Sequence, residues 1–462
     1  MFDAKIYRSR RKDLSSRLNT GIIVLLANEE SPMNYRDNMY HFRQDSSFLY
    51  YFGLNEPGMI GVIDVDEGKE FLFGYEYTID DTIWMGPKPS LKERGALVGI
   101  SDVVNIDKAD VKIGEWIAKG RRMHFLPPYR PEHELKIQSL LGIHISQIDA
   151  HKSRELIKAV VAQRSVKTEQ ELAELEAAHA ITREMHITAM QKTRAGLYER
   201  EIVALLRSIA TAGGGNPAFP VIFTVHGETL HNHYHGHKMT DGRLVVNDSG
   251  AESAAGYAAD ITRTFPVNGK FSQQQRDIYE IVLRAEKSCI EALKPGINNR
   301  EIHLLAARII TEGLKSLGLM KGDVQQAVKQ GAHALFFPHG IGHMMGLDVH
   351  DMENLGENYV GYDDQNTRSS QFGLASLRLA KILQPGFVLT IEPGIYFIPA
   401  LIDKWRADDK HGTFINYPAI EKYRTFGGVR IEDDVVVTAD GYRIIGKTIP
   451  KEIQEVEQTC QG

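Results

Sequence analysis

Asp248, Asp260, His343, Glu392 and Glu432 offer four carboxylates and one imidazole, in the local patterns NDSG, AADITRTF, PHGIGHMMG, LTIEPG and VRIEDD. Each pattern puts its residue at the end of an apolar run or beside a glycine, where side chains from separate elements can converge. Brought together without counter-ions, the carboxylates would repel and desolvate one another until some were protonated or expelled, whereas two divalent cations neutralise the set. Oxygen-rich ligation with one imidazole suits Mn, Fe(II), Co or Zn, and not a thiolate structural zinc. Two ions about 3.5–4 Å apart can share a water, lower its pKa toward neutrality and stabilise the oxyanion formed when it attacks a carbonyl. The chemistry implied is hydrolysis. No G-x-S-x-G elbow or papain-like cysteine signature competes, and Gly340 and Ile341 after His339 exclude the H-E-x-x-H zincin pattern.

These residues need rigid elements to carry them. Asp248 closes the run RLVV and Asp260 opens ITRTFPV, so an antiparallel hairpin with the loop SGAESAAGYAA would bring the two carboxylates together. Strand alternation then sets Asp260, Thr262 and Thr264 on one face. The glycines of PHGIG let the backbone at His343 approach another group closely, and Pro393 holds Glu392 extended at the end of FVLT. In VRIEDDVVV, Glu432 and Asp433 must face opposite sides, so only one of them can enter a site shared with Arg430. Taken singly, each pattern also reads as a surface turn, a core histidine or a solvated strand end.

At 462 residues the chain exceeds one compact core, and two domains are expected. Residues 1–152 alternate short apolar runs (GIIVLLA, MIGVIDV, EFLFG) with polar or helical stretches, the rhythm of an α/β domain. Long amphipathic helices from Ser153 to about Ala195 open an α+β domain over 153–462, with further helices over Ser272–Leu293 and Asn299–Leu317 and strands around Val388 and Val429. A net charge of -6 leaves no basic face for nucleic acid, and the cluster RSRRK at Arg8–Lys12 reads as a solvated helix face. Cys289 and Cys460 lack partners at metal-ligand spacing, and no stretch approaches the ~20 apolar residues of a membrane span. A signal-peptide h-region is missing as well, so a reducing cytoplasm is the expected location, with neither nucleic acid nor membrane as partner.

In this order, and through DITRTFPVNGKFSQQQRDIYEIVL, PHGIGHMMGLDVHD, LQPGFVLTIEPGIYF and GGVRIEDDVVVT, the patterns resemble the pita-bread metallopeptidases. FRQDSSFLYYFGLNEPG and TIWMG are similar to the amino-terminal domain of aminopeptidase P and prolidase, so the resemblance covers nearly the whole chain. It implies a C-terminal pita-bread catalytic domain behind a smaller α/β domain. It also implies two divalent ions, Mn(2+) foremost, with Asp260 and Glu432 bridging them, Asp248 completing one site, and His343 with Glu392 completing the other. Glu392 would shuttle protons, His231, His339 and His350 would hold substrate and the tetrahedral intermediate, and Arg430 would orient carboxylates or substrate. LHNHYHGH contains four histidines, so His233 is an alternative to His231, the surplus ones reading as a solvated turn. Asp248 and Asp260 are twelve apart, one more than usual in the family, which a longer hairpin loop absorbs.

The implied substrates are small peptides with proline in second position, whose tertiary amide lacks an N–H and resists most peptidases. The first reading is an Xaa-Pro aminopeptidase. The alternative is an Xaa-Pro dipeptidase, to which Arg378 would contribute by gripping a free proline carboxylate. A homodimer or homotetramer is implied as well. Non-catalytic binding or chaperone relatives have typically lost metal ligands, and none is missing here; the five also argue against a metal-free creatinase-like hydrolase.

Overall fold

The apolar runs GIIVLLA, MIGVIDV and EFLFG form strands β1 (Ile22–Leu26), β2 (Ile60–Asp64) and β3 (Lys69–Gly74), the centre of a five-stranded sheet. With β4 (Asp102–Asn105) and β5 (Met123–His124) at its edges, the order is β4-β3-β2-β1-β5. The central pairs are antiparallel and the edge strands parallel. Ile22, Val24, Ile60, Val62 and Phe73 from the sheet pack with Ile113, Trp116 and Leu140 from helices. This sheet belongs to the first of two units in the computed structural model, which describes residues 2–462; the unit comprises the chain up to Arg164 together with Asn354–Tyr359. The helix Arg154–Ser165 begins just past the expected division at residue 152, and its residues up to Arg164 group with the first unit.

The basic cluster is only in part a solvated face: Arg8, Ser9 and Lys12 are exposed, whereas Arg10 and Arg11 are buried. The helix Ala4–Ser16 buries Tyr7, Arg10, Arg11 and Leu14, an i, i+3, i+4, i+7 stripe. Arg11 is fully buried, donating to the carbonyls of Tyr51 (2.9 Å) and Val98 (3.0 Å) and pairing with Glu70 at 2.8 Å. Arg10 donates to the Tyr50 carbonyl and lies 3.8 Å from the Tyr50 ring centroid. A guanidinium whose terminal nitrogens find acceptors, or whose plane lies over an aromatic ring, can be buried, and a pattern of charges alone does not register those partners.

The second unit, Ser165–Glu353 with Val360–Gly462, opens on the helix Glu169–Lys192, begun by a capping box between Thr168 and Glu171. Its strands β6 (Ile222–Thr224), β7 (Leu244–Ser249) and β8 (Ile261–Pro266) form one antiparallel sheet. After the helices Gln273–Glu291 and Asn299–Ser316 come β9 (Val388–Ile391), β10 (Gly394–Tyr396), β11 (Gly428–Arg430), β12 (Asp433–Val437) and β13 (Tyr442–Ile444). These make a second antiparallel sheet, β13-β12-β9, and a ribbon, β10-β11. Glu169–Lys192 packs on β7 and β8, and Gln273–Glu291 on β9, β10 and β11. Among the described residues no helix is long and apolar enough to cross a membrane.

Candidate active site

The β7–β8 hairpin forms as its alternation suggests. Asp248 pairs in register with Thr262, and Asp260 immediately precedes β8. Gly250 closes the base of the loop, where a Cβ would stand 1.7 Å from the Ala259 carbonyl oxygen, so no other residue fits without backbone movement. The segment around His343 docks on β9: Thr390 N–H donates to the His343 carbonyl, Glu392 N–H to that of Ile341, and the Thr390 hydroxyl accepts from His343 N–H at 3.1 Å. A Cβ at Gly342 would lie 1.9 Å from the Thr390 carbonyl oxygen, which is why glycine precedes this histidine. Glu432 sits between β11 and β12, and its N–H donates to the Thr262 carbonyl at 3.1 Å.

Three elements thus deliver Asp260, His343 and Glu432, whose ligand atoms lie within 4.8 Å of one another. His343 Nε2 is 3.4 Å from Asp260 Oδ2 and 3.8 Å from Glu392 Oε1. Asp248 Oδ2 accepts from Arg430 at 2.5 Å, while Asp248 Oδ1 and Asp260 Oδ1 are buried without a hydrogen-bond partner. Burial, reinforced by neighbouring carboxylates, pushes the pKa of Asp260 and Glu432 well above the ordinary range. Burial likewise raises Glu392, against the opposing influence of His343 and Arg430. One guanidinium cannot compensate four clustered carboxylates. Unpartnered buried oxygens, a carboxylate-rich donor set and one imidazole fit divalent cations, and the site is built to hold them.

All ten residues singled out from the sequence line one cavity of about 460 Å³: His231, Asp248, Asp260, His339, His343, His350, Arg378, Glu392, Arg430 and Glu432. His233 lines it too, so both alternatives in the histidine-rich segment reach the cleft. The surplus histidines are not a solvated turn: His235 Nε2 is 2.9 Å from the Val221 carbonyl oxygen, and His237 packs on the His226 and Tyr234 rings. The His350 ring stacks on that of His343 with centroids 3.9 Å apart. Burial lowers the pKa of His231, and brings that of His350 to about 4 and of His339 to about 3, so these imidazoles are neutral at pH 7.

Several partners in the cleft went unread in the sequence. Tyr396, in the GIYF that follows Glu392, joins two of the expected residues: its hydroxyl accepts from Arg430 Nη1 at 2.8 Å and lies 2.9 Å from His339 Nε2. His339 Nδ1 faces the Gly340 carbonyl and so carries the proton, which leaves Nε2 to accept from the tyrosine. Thr262 donates to Glu432 Oε2 at 2.6 Å and accepts from Arg430 Nε at 3.0 Å. Asp434 accepts the N–H of Asp260 at 3.0 Å. Behind Glu432, Arg263 donates to the Glu432 carbonyl and pairs with Asp433, which also binds Lys451. Glu353 bonds both His350 and Arg378; its place three residues after His350 was the only local signal.

Comparison with known proteins agrees with this geometry. Residues 173–439 match Metallopeptidase family M24, and residues 7–124 match the aminopeptidase P N-terminal domain. The Xaa-Pro dipeptidase of Homo sapiens is 35% identical over 96% of this chain and 89% of its own length. A probable Xaa-Pro aminopeptidase of Botryotinia fuckeliana is 33% identical over 95% and 92%. The Zn-substituted E. coli aminopeptidase P in complex with product superposes with a TM-score of 0.80 at 29% identity, covering 99% of this chain and 98% of that one. With a carboxylate and imidazole cluster at the floor of its cleft and both matching segments in place, the chain belongs to metallopeptidase family M24.

Proposed function

We propose that this chain is a metal-dependent Xaa-Pro exopeptidase that hydrolyses the bond between an N-terminal residue and a following proline, acting as an aminopeptidase. The observation that carries the reading is the convergence of Asp260, His343 and Glu432 within 4.8 Å in a cavity that Glu392 and three neutral histidines also line. The second reading, an Xaa-Pro dipeptidase, is favoured by Arg378 in the cavity wall and by the similarity to the human dipeptidase. Asp248, Asp260, His343, Glu392 and Glu432 would hold two divalent ions, Mn(2+) foremost. Bound there, the ions supply Lewis acidity: a nucleophile from water at neutral pH and stabilisation of charge on the attacked carbonyl oxygen.

The protein's own groups do the rest. Glu392, its pKa raised by burial, accepts a proton from the attacking water and passes it to the leaving proline nitrogen. His231 holds the scissile carbonyl and the tetrahedral oxygen, His350, its Nδ1 proton committed to Glu353, holds the substrate with Nε2 as an acceptor, and His339, fixed by Tyr396, fills the wall beside them. Arg430 holds Asp248 in position while Thr262 anchors Glu432. A cytoplasmic homodimer or homotetramer completes the reading. Incubating metal-loaded protein with Gly-Pro and with a longer Xaa-Pro peptide tests it, and chelator-sensitive cleavage of at least one is expected. Absence of cleavage on both refutes it. Glu392→Gln and His343→Ala should abolish turnover while circular dichroism stays unchanged; near-normal activity in either would contradict the assignment.

A further inference from the structure

Glu353 stands in an unusual position. Its Oε2 alone accepts from His350 Nδ1 at 3.0 Å and from Arg378 Nη1 at 2.6 Å, and both donors line the catalytic cavity. Its side chain is 16% exposed, less than half the exposure of His350 (35%) or Arg378 (33%), so it holds the two from behind, not from the cleft. Burial would raise its pKa, but the hydrogen bond from His350 and the charge of Arg378 bring it below the ordinary range, and it is ionised at pH 7.

An arginine in the wall of a peptide cleft is a natural partner for a substrate carboxylate, because its fork of donors matches the two oxygens. Here that guanidinium already carries a carboxylate, and the pair is neutral. A dipeptide ending in proline would bring a second carboxylate to the same guanidinium, where it meets like-charge repulsion from Glu353. A longer peptide presents a neutral amide at that point and meets none. We infer that Glu353 is a specificity-determining residue that occupies Arg378 and biases the cleft against substrates with a free carboxylate on the proline. The inference rests on the Xaa-Pro exopeptidase reading and selects, within it, the aminopeptidase preference.

Gly-Pro and Gly-Pro-amide differ at that one group, so their kcat/KM ratio in metal-loaded protein isolates it. The wild-type ratio (Gly-Pro over Gly-Pro-amide) should be one or below. Glu353→Gln keeps the shape and removes the charge, and should raise the ratio by about tenfold, equivalent to ~1.4 kcal/mol. Adding Arg378→Ala to that variant should return the ratio to the wild-type value or lower, while Glu353→Asp should leave it close to wild type. Loss of packing would lower both substrates together and leave the ratio in place. A wild-type preference for Gly-Pro of tenfold or more, an unmoved ratio in Glu353→Gln, or a raised ratio that survives Arg378→Ala overturns the inference. Cleavage of neither substrate, nor of any longer Xaa-Pro peptide, overturns instead the function on which it rests.

Discussion

Removing the metal should make the site a source of instability that grows with pH. Asp260, Glu432 and Glu392 all have pKa values raised by burial, the first two further by their neighbours, so in the metal-free fold they hold protons that the unfolded chain has released above pH ~4. Where the folded state binds more protons, the free energy of unfolding falls as pH rises, by up to ~1.4 kcal/mol per pH unit for each group. Their protonated form stabilises the fold fully below pH ~4, and that stability disappears as pH climbs through the raised values. The buried histidines run the other way. His333, His339 and His350 have lowered pKa values, so folding gains stability as pH rises toward the unfolded imidazole value of ~6.5 and is flat above it.

A difference between two proteins cancels the histidines. Glu432→Gln removes one carboxylate while its carbonyl oxygen can still accept from Thr262, the 2.6 Å partner of the native side chain. With chelator present, the variant should match the wild type near pH 4 and exceed it as pH rises, by ~1.4 kcal/mol for each unit by which the folded pKa is raised. At ~2–4 °C per kcal/mol for a unit of this size, that is roughly 3–6 °C in thermal unfolding. With divalent metal the order should reverse, since a site filled to a thousandfold excess over Kd adds ~4 kcal/mol to the wild type alone. A difference independent of pH, or a chelated variant less stable than chelated wild type at pH 8, would refute the account of Glu432 as a carboxylate awaiting a cation.

Tyr396→Phe removes the hydroxyl shared by Arg430 and His339 and should lower kcat/KM by ~10–100-fold, with a loss of ~1–3 kcal/mol in stability from the buried partners left unsatisfied. Lys451→Met leaves Glu286 and Asp433 without their shared cation; since burial and Asp433 already push Glu286 up to about 8, urea titration should show a loss of ~3–5 kcal/mol. Arg11→Met strands the carbonyls of Tyr51 and Val98 and the carboxylate of Glu70, and should cost ~2–4 kcal/mol in the unfolding of the first unit while leaving metal uptake unchanged.

The long helices and the strands that carry the candidate ligands were legible because their signals are local. GIIVLLA and RLVV are strands by apolar content, and the amphipathic periodicity of Ser272–Leu293 announces the helix Gln273–Glu291, which the structure starts with a capping box between Ser272 and Gln275. Two of the candidate ligands, His343 and Glu392, were legible because each needs a particular neighbour: a glycine at 342 that a carbonyl can approach, a proline at 393 that holds the chain extended. What remained hidden depends on partners far along the chain. Thr262 meets Glu432 across 170 positions, Tyr396 meets Arg430 across 34, and Arg11 is buried because carbonyls 40 and 87 residues away accept its protons. Arg8–Lys12 shows the consequence: charge pattern reports solvation only when no distant acceptors converge.

Glu432 and Asp433 show how the fold separates two carboxylates that the chain places side by side. Facing opposite ways, they meet opposite environments. Asp433 receives Arg263 and Lys451, which outweigh the cost of burial and carry its pKa below the ordinary range, so it is a permanent anion in a closed ionic cluster. Glu432 receives a threonine hydroxyl and three carboxylate neighbours, which leaves its charge uncompensated by protein groups. Arg263 ties the two fates together, because the guanidinium that neutralises Asp433 also donates to the Glu432 carbonyl at 2.6 Å. The cluster behind the site therefore holds the backbone of a residue whose side chain repels its surroundings. Metal binding then has only charge to neutralise and no chain to order, and this is how a pocket can keep several carboxylates within reach of one another before any cation arrives.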